Sequence, residues 1–123
     1  SDKGELYVLA DGDEIAACVI ANDEKVDGYA DALWQINSDE IIVLHVLAVN
    51  PGQRGKGLAR RLVENVIELE RKAGRKALRL DVIENNITAE KLYQKLGFQY
   101  VQTKTLYYDV VGKMTFKLYE LVL

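Results

Sequence analysis

Thirteen residues from Asn50 to Leu62, NPGQRGKGLARRL, hold three glycines, one proline and four basic residues between an apolar run and an amphipathic run. Glycines let a backbone come close to a ligand, their amide hydrogens are available, and a helix starting there turns its positive end toward them. Arg54, Lys56, Arg60 and Arg61 raise the local positive potential in a chain whose net charge is -3 and whose isoelectric point is near 5.2. The chemistry predicted is anion binding; the plainer alternative is a turn with solvated arginines. Two other groups could do chemistry: His45, the only histidine, and Tyr93 within NITAEKLYQKLGF. An imidazole, which titrates near about pH 6.5 in water, suits proton abstraction, and a phenol can donate a proton or a hydrogen bond. Each also has a bland reading, as a hydrogen-bonded core histidine and as one member of an apolar helical stripe.

Spacing narrows the anion. The pattern G-x-x-x-x-G-K-[ST] is absent, because Lys56 and Gly57 are followed by Leu58. The dinucleotide pattern G-x-G-x-x-G also fails, because Gly55-Lys56-Gly57 is followed at the third site by Arg60. What fits is R-x-x-G-x-A, read at Arg54, Gly57 and Ala59.

The elements that must position these residues follow from patterning. ELYVLA and EIAACVIA, parted by Asp11-Gly12, predict strands over about 5–10 and 14–21 joined as a hairpin. Residues 22–40 are polar and irregular, with Tyr29, Leu33 and Trp34 as anchors, or with Tyr29 and Trp34 as parts of a ligand pocket. IIVLHVLAV, 41–49, is the nearly continuous apolar run of a central strand, and Pro51 ends its pairing. From Gly57 to Ala73, Leu58, Leu62, Val66, Leu69 and Ala73 form a helical stripe, with Glu68 and Lys72 as an ion pair and Gly74 as the stop. ALRLDVI is a further strand, and Asn86 caps a second helix whose stripe is Ala89, Leu92, Tyr93 and Leu96, ended by Gly97. The rest is a closing antiparallel hairpin around Val111-Gly112. The fold class is α/β (α+β): a mixed, mostly antiparallel twisted sheet around a central parallel strand-helix-strand unit, with the ligand at the carboxyl end of strand 41–49.

Composition bounds the rest. With 123 residues, 49% hydrophobic and 28% charged, one domain over 1–123 is expected. The acidic balance argues against nucleic acid, and no apolar run nears the roughly 20 residues that span a bilayer. A single cysteine, Cys18, allows neither a disulfide framework nor a cysteine-rich metal site, so no metal and a cytoplasmic setting are expected.

R-x-x-G-x-A after the 41–49 strand resembles the pyrophosphate loop of the GNAT superfamily of acetyl-CoA-dependent N-acetyltransferases. Asn86 to Phe98 resembles its second signature, N-x-x-A-x-x-L-Y-x-x-x-G-F. The resemblance implies a splayed central strand with the pantetheine arm of acetyl-CoA in the gap, contacting the backbone of Leu47, Ala48 and Val49. The Leu47 amide would then polarise the thioester carbonyl. The amides of Arg54, Gly55, Lys56, Gly57, Leu58 and Ala59 would hold the pyrophosphate, and Asn86 would contact the arm. Tyr93 would be the acid or would orient the thiol, and His45, in HVLAV, would take the proton of the amine, with Glu40 a weaker alternative. The implied reaction is direct transfer of acetyl from acetyl-CoA to a small-molecule or peptide primary amine in a ternary complex. The rival is a non-catalytic CoA or acyl-CoA-binding module. Members of the superfamily carry a strand and two helices ahead of the first hairpin, and this sequence starts at Ser1 without them. The expectations are a truncated chain, a polypeptide divided in two, or a homodimer or second chain covering that edge and the acceptor side.

Overall fold

The computed structural model describes residues 5–22, 32–53, 57–108 and 112–123. Tyr29, Arg54, Gly55 and Lys56 lie outside the described residues. The strands are β1 (Glu5–Asp11), β2 (Glu14–Asn22), β3 (Ile41–Val49), β4 (Ala77–Ile83), β5 (Gln99–Tyr108) and β6 (Gly112–Val122). Two helices, α1 (Leu58–Lys72) and α2 (Ile87–Lys95), follow β3 and β4. One six-stranded sheet has the order β1-β2-β3-β4-β6-β5, antiparallel throughout except for β3 beside β4. The closing hairpin is therefore inserted backwards: β6, last in sequence, pairs with β4, and β5 takes the edge.

Both helices cover one face. Ile42, Leu44, Leu78, Leu80, Val82 and Tyr119 turn toward it and meet Leu58, Leu62, Val63, Val66 and Ile67 of α1 and Tyr93 of α2. Each such buried aliphatic side chain contributes about 2 kcal/mol. The α1 stripe differs from expectation at its end. Leu69 is half exposed and Glu70 is buried, because the buried face drifts forward through the pairs 62–63 and 66–67 to reach position 70. Glu68 pairs with Arg71, one turn on, rather than with Lys72. Leu33 is also exposed, and it is its amide that donates to Gln102 Oε1 at 3.1 Å.

The second face carries Val43 and Leu118, packed with Ala32, Trp34 and Val101. Here β4 and β6 set Arg79 directly opposite Glu120, and the two form a buried ion pair, Nε to Oε2 at 3.2 Å. Residues 33–36 are strapped over it. The amide of Gln35 donates to Glu120 Oε1 at 2.8 Å, Arg79 donates to the Ile36 carbonyl, and the Trp34 ring lies 4.4 Å from the guanidinium carbon. Trp34 is thus an anchor of this irregular segment.

Candidate active site

Two irregularities in β3 make the site. Its parallel ladder with β4 has three register pairs, Ile41–Ala77, Ile42–Leu78 and Val43–Arg79, and ends there, although both strands continue. Beyond Val43, the backbone edge of β3 that faces β4 has no ladder partner among the described residues. On the other edge, Cys18 stands opposite Ala48 and Ile20 opposite His45, so two residues of β3, Val46 and Leu47, face the single Val19. This bulge bends the strand and reverses its alternation. Before it the even positions Ile42 and Leu44 meet the helix-side core, and after it the odd positions Leu47 and Val49 do.

A cavity of about 450 Å³ occupies the parting. Val19, Leu44, Leu47, Val82, Asn86, Ala89, Leu92 and Tyr93 line it from the helix side, and His45, Asp81, Ile83 and Phe116 from the other face. The cavity therefore passes through the sheet. Of the residues singled out by sequence, His45, Leu47, Asn86 and Tyr93 are brought together. Ala48 and Val49 continue β3 beyond it, and Glu40, exposed before the start of β3, stands outside it.

The local chemistry of the second signature is a helix capped at both ends. The Asn86 side chain accepts the Ala89 amide at 3.2 Å, so Asn86 is the N-cap. At the other end Gly97 takes φ 101°, and the Phe98 amide closes back on the Tyr93 carbonyl at 3.0 Å. The Phe98 ring then meets the Tyr93 ring edge-on at 5.6 Å. A Cβ at Gly97 would stand 3.3 Å from Leu121, so positive φ and close packing both require glycine. Tyr93 is fixed by its own carbonyl, by its ring and by burial. Burial, and then the charge of Asp81, push its hydroxyl up to about 12, so it keeps its proton at neutral pH.

A polar cluster holds α2 down from below. Glu90 is buried and accepts from the Tyr119 hydroxyl, and Lys117 Nζ lies 3.3 Å from its carboxylate. The Tyr119 hydrogen bond foremost keeps the Glu90 carboxyl below the usual carboxylate range. On the second face His45 Nε2 donates to Asn22 Oδ1 at 3.0 Å. An amide oxygen only accepts, so the neutral ring keeps its lone pair on Nδ1. His45 is part-buried rather than enclosed by the core.

The loop after β3 is tied to β2 by Asn50, whose amide donates to the Ala16 carbonyl at 2.8 Å and whose side chain accepts from Gly52 at 3.0 Å. Gly57 then takes φ 70° as the N-cap of α1. That end has no side-chain cap and no acid in its first turn, unlike α2 with Asn86 and Glu90. Among the described residues, nothing lies within 4 Å of where a Gly57 Cβ would stand. Among the described residues the first-turn amides of α1 thus have no side-chain cap, and an uncapped positive helix end is the chemistry that suits a phosphate.

Asp81 was not singled out by sequence. Its signal was weak: an acid at an inward position of the short apolar strand ALRLDVI, two residues after Arg79. Among the described residues, no group of acids, histidines and cysteines could hold a metal ion, and no helix is long and apolar enough to cross a membrane.

Known proteins agree with this geometry. The ribosomal-protein-S18-alanine N-acetyltransferase of Escherichia coli superposes with TM-score 0.76 at 25% identity, covering 99% of this chain and 70% of that one. A Bacillus subtilis acetyltransferase solved in complex with CoA gives 0.74 at 20%, covering 98% and 77%. In sequence, the E. coli [ribosomal protein bS18]-alanine N-acetyltransferase is 35% identical over 77 residues, 63% of this chain and 51% of that protein. The N-alpha-acetyltransferase RimI of Mycobacterium tuberculosis is 33% identical over 69 residues, 56% of this chain and 42% of that protein. The chain thus spans about half or less of these curated relatives. Residues 1–98 match the acetyltransferase (GNAT) family, and the chain belongs to that family.

Proposed function

We propose that this chain, working as one domain in the cytoplasm, transfers acetyl from acetyl-CoA to a primary amine by direct attack within a ternary complex. The observation that carries the reading is the parting of β3 from β4, which opens a cavity through the sheet with distinct chemistry on its two faces. On the helix side, the unpaired edge of β3 suits an extended amide-bearing arm, as an added strand would. Gly57, Leu58, Ala59 and the basic loop suit a pyrophosphate, and Asn86 suits the arm. The bulge at Leu47 supports its amide as the donor to the thioester oxygen, stabilising the charge that develops there.

On the second face Asp81 draws in the ammonium, and His45 takes its proton, directly or through water. Tyr93 holds its proton tightly, which supports a hydrogen bond to the departing sulfur over complete proton transfer. Acetyl-CoA supplies the activated acyl group, and the chain supplies orientation, a gap through the sheet and these polar groups. The E. coli and M. tuberculosis relatives are named for α-amine acetylation, so an alanine-terminated peptide belongs in an acceptor panel with phenylethylamine, spermidine and glucosamine. The test is thermal shift with acetyl-CoA, followed by thiol release across that panel. A shift with turnover supports the enzyme. A shift with no turnover reduces it to a CoA-binding module, and no shift removes both readings.

A further inference from the structure

Arg79 and Asp81 stand two residues apart on one face of β4, about 7 Å between their Cα atoms. At that spacing a guanidinium can reach the neighbouring carboxylate. Arg79 is engaged elsewhere on every side: Nε donates to Glu120 Oε2 at 3.2 Å, the fork donates to the Ile36 carbonyl, and Trp34 covers its plane at 4.4 Å. Glu120 is held in turn by the Gln35 amide at 2.8 Å. The pair is almost wholly buried, with side chains 6% and 3% exposed, and Asp81 lines the cavity just beyond it. A buried ion pair seldom adds net stability over an apolar pair of the same size, so its presence here invites another explanation.

We infer that Glu120 is a positioning residue for the amine acceptor: by holding and neutralising Arg79 it keeps that guanidinium off Asp81. This rests on the proposed reading that Asp81 meets the ammonium. Without the Glu120 charge, Arg79 turns to Asp81. Its guanidinium then competes with a cationic amine for that carboxylate, while the α1 end proposed to hold the pyrophosphate is left unchanged. The strap over residues 33–36 belongs to the same device, since it supplies the remaining ligands of Arg79.

The test compares Glu120→Gln, Arg79→Met, the double variant and Asp81→Asn in the full chain, with phenylethylamine and acetyl-CoA as probes. Glu120→Gln should raise the KM for phenylethylamine about tenfold or more while that for acetyl-CoA changes less than about twofold. Arg79→Met breaks the same ion pair yet should leave the amine KM within about threefold, and the double variant should recover it. A merely structural pair makes the two single variants alike, which overturns the inference. Asp81→Asn separates the layers: if it keeps wild-type kcat/KM, the reading of Asp81 has failed. If it loses amine turnover while Glu120→Gln does not, only the role of Glu120 has failed. Should phenylethylamine not be acetylated, the 15N signal of Arg79 Nε decides. It should differ between Glu120→Gln and Glu120→Gln/Asp81→Asn, and identical signals overturn the inference. If Glu120→Gln does not fold, Glu120→Asp, which withdraws the charge by one methylene, gives the same contrast on a smaller scale.

Discussion

Replacing Tyr93 by Phe removes one oxygen from the centre of the site and little else. The ring is 9% exposed, stacked edge-on against Phe98 at 5.6 Å, and its backbone carbonyl takes the Phe98 amide, none of which needs the hydroxyl. The fold should be unharmed, with the melting temperature within about 2 °C of wild type. The rate should not be. A phenol at about 12 cannot easily give its proton to a thiolate, whose acid titrates near about 8.5; that transfer is uphill by roughly 5 kcal/mol. A hydrogen bond to the charge gathering on sulfur is worth about 1.5–3 kcal/mol, so kcat should fall roughly 10- to 150-fold. The acetyl-CoA KM should move less than about threefold, since that bond strengthens only as sulfur becomes charged. Thiol release in the steady state, with saturating amine, measures both constants. A kcat within about twofold of wild type would refute the assignment, and so would a loss of stability matching the loss of rate.

Gly57→Ala and Gly74→Ala make a matched pair, because both glycines sit at positive φ, 70° and 87°, and no described residue approaches where a Cβ would stand. Each should cost about 1–2 kcal/mol of stability, while only Gly57→Ala raises the KM for acetyl-CoA; equal effects on KM would remove the α1 end from the site. Glu70 is buried with Oε2 unpartnered among the described residues, and burial raises its carboxyl above the ordinary value. The folded chain therefore binds that proton more tightly, and the penalty appears as pH rises past the unfolded carboxylate value. Glu70→Gln should gain about 1 kcal/mol, or about 4 °C, at pH 7 and nothing near pH 3; a loss at pH 7 would contradict the burial argument. Tyr7, Tyr93 and Tyr119 are each pushed up to about 12, first by burial. Unfolded phenols titrate near about 10, so stability is full below that pH and is lost from about 10 toward 12, more shallowly in Tyr93→Phe; denaturant midpoints across that range check the slope.

Much of this protein is local and was legible as such. Helix α2 is specified by an asparagine cap, a stripe ending in Tyr93, a glycine at positive φ and a phenylalanine that folds back, all within thirteen residues. The run 41–49 announced a buried strand, and Pro51 with Gly57 announced the turn and helix start, because caps, φ limits and periodicity act between near neighbours. Long-range pairing does not. That β6 enters between β4 and β5, that β3 bulges at Leu47 and leaves β4 after Val43, and that Arg79 meets Glu120 are settled by which strand lies beside which. The same holds for Asp81: in sequence it is one acid in an apolar strand, and only the parting of β3 and β4 turns it into the wall of a cavity opposite Tyr93. The sequence by itself determined the elements and the glycine-rich, basic composition of the loop between two of them. The tertiary structure alone decided which side chains share the gap, because that gap is made by hydrogen bonds two strands do not form, and no local pattern encodes an absent pairing.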